Sequence, residues 1–179
     1  GESAFLLSPT SPEANVLAQL CACHEVRPVA IARTLDELHT VASMSPNPFR
    51  TVLDATSRAL EEVVLQETGG AGADYLVECM PADESESEKE ALELCGTLVR
   101  CLAPHGHWVT TRRALQLPPA VSTQLFLRNA SLSFVFPQTW LLAPLQQGRL
   151  LHVMHDLMEK LAAGKLLPPP VSHEVPLKQ

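Results

Sequence analysis

Aromatic side chains are scarce in this chain. There are eight in 179 residues: five Phe, two Trp and one Tyr. They are scattered, and a base-stacking platform needs them clustered on one surface. Cations are scarce too. Thirteen Lys and Arg stand against twenty Asp and Glu, a formal charge of −7 at pH 7. Such a chain has no general pull toward phosphates, so nucleic acid is not an expected partner. No apolar run reaches the roughly 18 residues of a membrane helix. The apolar patch Ala4-Phe5-Leu6-Leu7 lacks the length and basic flank of a secretory signal. Cysteines number five, Cys21, Cys23, Cys79, Cys95 and Cys101, and their spacings match no disulfide framework or zinc module. Reduced thiols and a cytoplasmic location are the resulting expectation. It leaves the Asn129-Ala130-Ser131 sequon without a glycosylation role. What is present is globular: 46% apolar and 18% charged residues, in a length that suits one domain. The first residue is Gly1 rather than Met, so a piece of a longer or processed protein is expected.

Short apolar runs alternate with longer helical patterns. Ala4-Phe5-Leu6-Leu7 reads as a buried strand, and Ser11-Pro12 then caps a helix to about His24, with proline where its missing N–H costs nothing. Val16, Leu17, Leu20 and Cys21 form the stripe predicted to face the core. Further strands are predicted at 28–32, 51–54, 74–78, 107–111 and 131–136. Helices are predicted from about 35 to 43 (burying Leu38, Val41 and Ala42), through 60–67, up to about 102, and from 145 to about 163. The last of these carries Leu150, Met154, Leu157, Met158 and Leu161 on one face. The stretch around Leu115, Leu117 and Leu125 is read as irregular, and residues 83–90 as a solvated acidic face or docking surface. The alternation calls for an α/β, Rossmann-like doubly wound sheet of six mainly parallel strands with helices on both faces. Residues 1–165 make that domain, and the proline-rich 166–179 reads as an exit linker.

In such a fold ligands bind at the carboxyl ends of the strands. The loop after the first strand, Ser8-Pro9-Thr10-Ser11-Pro12-Glu13-Ala14, contains no glycine. Glycine lets the backbone turn tightly there and approach a pyrophosphate. Ser8, Ser11 and Ala14 are small and keep some room. Thr10 and Ser11 are candidates for phosphate hydrogen bonds. Glu13 opposes them, because it puts negative charge in the first helical turn. The alternative is an ordinary strand-to-helix turn. Arg33, after the second strand, selects NADPH over NADH if any dinucleotide binds, since arginine there accommodates a 2′-phosphate. Its alternative is a solvated surface arginine. Cys21, Cys23 and His24 cannot converge on one metal from a helix, and His152 with His155 has no acidic or cysteine partner, so no metal site and no zinc are expected. No catalytic residue is assigned.

Several segments carry a family likeness. They are Glu67-Thr68-Gly69-Gly70-Ala71-Gly72-Ala73-Asp74, Gly106-His107-Trp108-Val109-Thr110-Thr111, Leu115-Gln116-Leu117-Pro118-Pro119, Gln146-Gln147-Gly148 and Met158-Glu159-Lys160-Leu161. Together they resemble the coenzyme domain of the medium-chain dehydrogenases/reductases, in their zinc-free, quinone-reducing branch, over essentially the whole chain. The resemblance implies an NADPH-dependent oxidoreductase that passes hydride from nicotinamide to a quinone or activated alkene. It implies a GroES-like barrel domain outside this sequence, which the linker at 166–179 leads toward. It also implies a homodimer joined through the last strand, from Ser131 to Phe136, and a small-molecule acceptor as substrate. The cofactor contacts it implies are Ser8, Thr10, Ser11, Ala14, Arg33 and Cys79. The sequence departs from the family at Ser8, Ser11, Pro12 and Ala14, near Met80-Pro81 and at Arg112, where the family's loops carry glycine. Two functions therefore stand: the reductase, and a non-catalytic relative kept as a dimerisation or interaction domain.

Overall fold

The computed structural model describes residues 2–79 and 88–168. Its elements run β1 (Ala4–Leu7), α1 (Pro12–Cys23), β2 (Val29–Ala32), α2 (Leu35–Ser43), β3 (Val52–Asp54), α3 (Leu60–Glu67), β4 (Ala73–Glu78), α4 (Glu88–Cys101), β5 (Leu102–Thr110), α5 (Pro119–Leu127), β6 (Ser131–Phe134), α6 (Thr139–Leu142) and α7 (Gln147–Ala162). The six strands form one sheet in the order β3-β2-β1-β4-β5-β6. Every pairing is parallel. This is the doubly wound α/β fold that the strand–helix alternation predicts.

The central strands are buried on both faces, which is why they read as unbroken apolar runs. In β1, Phe5 and Leu7 point to one layer with Ile31, Leu76 and Trp108, under Val64, Leu98 and Val121 of α3, α4 and α5. Leu6 points the other way, to Ala30, and is covered by Ala14 and Ala18 of α1 and Val41 of α2. The chain reverses its winding between β1 and β4, so their carboxyl ends bound a crevice.

The last strand, expected to run from Ser131 to Phe136, ends at Phe134, and four further details differ from the sequence expectation. The buried face of α1 is Ala14, Asn15 and Ala18, while Val16, Leu17, Leu20 and Cys21 are half-buried. Small residues let the helix close on the sheet, and the larger ones fan out along its flanks. In α2 only Val41 is buried; Leu38 is half-buried and Ala42 exposed. Strand β5 begins at Leu102, directly out of α4, rather than at His107. It includes His105, whose φ of 65° is left-handed. Its register shifts opposite Ala73 and Tyr75, a bulge that lets both parts of β5 pair with β4. The stretch read as irregular holds α5, which starts with Pro119 in its first turn and buries Val121 and Leu125. Val121 and Leu125 are four apart, but the equally apolar Phe126 and Leu127 beside them are 81 and 74% exposed, so the apolar residues mark no single face.

Helix α7 forms where its pattern predicts, yet Leu151, Met154 and Met158 on it are 70, 49 and 60% exposed. Just beyond it Leu166 is buried. Leu167 exchanges two hydrogen bonds with Gln19 of α1, its N–H donating to Oε1 at 2.7 Å and its carbonyl accepting from Nε2 at 3.2 Å. The start of the proline-rich segment is thus held against the domain, and residues 169–179 lie outside the described residues. So do Met80 and Pro81, and most of the acidic stretch 83–90.

Candidate functional site

The crevice is built by the loop from β1 to α1, the end of β2 and the ends of β4 and β5. Ser8 follows β1 with φ 52°. That left-handed conformation is what a tight strand-to-helix turn requires. The Ser11 N–H donates to the Ser8 carbonyl at 3.0 Å and closes the turn. Ser11 is the N-cap of α1 at φ −66°, ψ 146°, and its Oγ accepts the Ala14 N–H at 3.1 Å. The Asn15 N–H donates to the Ser11 carbonyl at 3.1 Å. Pro12 has no N–H to offer. Ala14 is fully buried against the sheet, where a larger side chain would hold the helix away.

Arg33 continues β2. Its backbone N–H donates to Glu37 Oε2 at 2.7 Å. The Glu37 N–H in turn donates to Thr34 Oγ1 at 3.2 Å. Helix α2 thus starts with its cap hydroxyl and its third residue tied together, a variant of the capping box. A carboxylate therefore lies where Arg33 is read as a 2′-phosphate partner. Across the crevice Leu7 is in register with Glu78, so Ser8 and Cys79 follow each other on adjacent parallel strands. Cys79 is buried, and burial together with the charges of Glu13 and Glu78 pushes its thiol up to about 11. The thiol stays protonated at neutral pH and is a packing group, not a nucleophile.

The sequence reading misses one cluster here. Glu78 is fully buried, yet accepts hydrogen bonds from Thr110 Oγ1 at 2.9 Å and from Arg112 Nε at 2.6 Å. The Arg112 N–H also donates to Thr110 Oγ1 at 3.1 Å. An ion pair thus closes the carboxyl ends of β4 and β5. Its trace in the sequence is Arg112, two residues past the end of β5.

The structure places Ser8, Thr10, Ser11 and Ala14 on the turn from β1 into α1, Cys79 just past the end of the adjacent strand β4, and Arg33 at the end of β2. These residues do not fit a dinucleotide pyrophosphate. The anion needs converging first-turn N–H groups. Pro12 has none, that of Ala14 is taken by Ser11, and the Glu13 carboxylate is exposed beside the remaining one. Replacing Ser11 by alanine removes the cap, and the thermal midpoint should fall by the equivalent of about 1 kcal/mol. An unchanged midpoint on differential scanning would show that the Ser11 hydroxyl caps nothing.

Among the described residues no group of three His, Cys, Asp or Glu is placed to hold a metal ion, and no helix is long and apolar enough to cross a membrane. No protein-family model matches the chain. It is 30% identical over 174 residues to quinone oxidoreductase-like protein 1 of Mus musculus, covering 94% of this chain and 50% of that protein. The chain thus spans about half the length of the curated relative it matches. Among solved structures, a domain named as an enoyl reductase of a polyketide synthase superimposes with a TM-score of 0.67 at 22% identity, over 97% of this chain and 87% of that one. The CurK enoyl reductase gives 0.68 at 16% identity, over 95% and 46%. At these identities the structures show the fold. The chain thus has the Rossmann-like fold of these reductase domains, and its likeness in sequence is to quinone oxidoreductase-like protein 1.

Proposed function

We propose that this chain is the coenzyme-type domain of a quinone oxidoreductase-like protein in which assembly is retained and dinucleotide binding is weak or lost. The observation that carries this reading is the free edge of the sheet. Among the described residues strand β6 pairs with β5 on one side only, and Phe134, Val135 and Phe136 at its end are 59, 45 and 55% exposed. An open, apolar edge strand invites another strand, and a twofold axis would pair β6 with β6 of a second copy. The Val135 N–H donates inward to Thr110, so by alternation the Phe134 N–H points to the free edge. The chain should therefore run on size exclusion with light scattering at about twice its 19.5 kDa. Phe134→Pro removes an outward donor without touching the β5 ladder, and should return the chain to a monomer. A wild-type chain that is monomeric at high micromolar concentration would sink the assembly part of the proposal.

A second reading keeps the chemistry: NADPH-dependent hydride transfer to a quinone or activated alkene. Arg33 at the end of β2 and the name of the murine relative favour it. It requires that the wild-type chain bind NADPH.

A further inference from the structure

We infer that the nucleotide loop of this chain is closed by its own side chain, with the Ser11 hydroxyl on the first-turn N–H that this fold otherwise offers to a bound pyrophosphate. This deepens the proposed function and rests on it. The Ser11 Oγ sits 3.1 Å from the Ala14 nitrogen and completes a satisfied N-cap. An intramolecular acceptor loses no association entropy, so an incoming phosphate must displace a group that is already in place. It would gain nothing from Pro12 and would be repelled by Glu13. No other part of the loop stands in the way. Ser8 already adopts φ 52°, the Ser11 N–H already closes the turn on Ser8, and Ala14 already lets α1 meet the sheet at full contact. Within this loop the barrier to the dinucleotide therefore lies at Ser11, Pro12 and Glu13.

The test compares the full chain with an opened variant, Ser11→Gly/Pro12→Gly/Glu13→Val, by thermal midpoint in millimolar NADPH and in NADH. The wild type should not respond. The opened variant should rise with ligand concentration, by roughly 5–10 °C at a hundredfold excess over its dissociation constant. If the loss of cap and proline leaves the triple variant unfolded by circular dichroism, Ser11→Ala/Glu13→Gln keeps Pro12 and should show a smaller rise. A wild-type response overturns the inference, because the loop is then open as it stands. Folded variants that stay silent overturn it too, because the barrier then lies elsewhere. Neither result bears on the dimer, and a monomeric wild type would overturn the assembly reading alone.

Discussion

Replacing Arg112 by methionine should destabilise the domain by about 3–5 kcal/mol, as expected when a buried ion pair loses one partner. Glu78 is fully buried, and Arg112 is only 11% exposed in its side chain. The methionine keeps much of the arginine's aliphatic packing but leaves the carboxylate with Thr110 alone. For a domain of this size the midpoint should drop by roughly 10 °C or more. The double variant Glu78→Gln/Arg112→Met removes the charge as well as its partner and should recover most of the loss. The two sites touch, so their effects cannot add. Equal midpoints for the single and double variants would show that the cost is lost packing rather than an uncompensated charge. The pair lies at the ends of β4 and β5, beside the crevice. If its role is structural, as the geometry argues, the single variant changes stability without creating a response to NADPH.

The parts of this architecture that were legible in the sequence are those set by local chemistry. Ser11 followed by Pro12 marks a helix start whatever the rest of the chain does, and the structure begins α1 at Pro12. Four-residue apolar runs bounded by turns announce strands buried on both faces, and β1 matches its predicted limits. The parts that were not legible depend on partners distant in sequence. Glu78 and Arg112 are 34 residues apart and meet because β4 and β5 align Glu78 with Thr110. The early start of β5 depends on a bulge that exists only against β4. The alanine face of α1 reflects how closely the helix approaches the sheet, while hydrophobic spacing favours the larger Val16, Leu17 and Leu20. Of the candidate site, the missing glycines and the opposing Glu13 were visible from the start. That Ser11 takes up the Ala14 N–H in place of a ligand required coordinates.

Substituting alanine at Gly72 should cost several times what it costs at Gly70, although both belong to the glycine run that first marks the family likeness. Gly70 has φ 89°, and a side-chain carbon added there would meet nothing within 4 Å. Alanine at Gly70 therefore bears only the left-handed backbone, about 1 kcal/mol. Gly72 has φ 87° as well, but a Cβ would lie 2.6 Å from the Ala103 nitrogen and 2.8 Å from the Leu102 carbonyl carbon. Both are backbone atoms at the start of β5 and have no rotamer to change. Overpacking adds about 1–3 kcal/mol to the conformational cost. Denaturant midpoints of the two variants measure the difference directly. Equal losses would mean that β5 can shift away from Gly72, and that the approach of the two strands is looser than the structure has it. A large gap assigns the glycine run its physical role. Gly72 lies at the entry to β4, the end of the strand opposite the crevice, where β4 and β5 come together in the sheet. Its glycine is then kept for the fold, which explains how a chain can hold this feature of the family while its nucleotide loop has none.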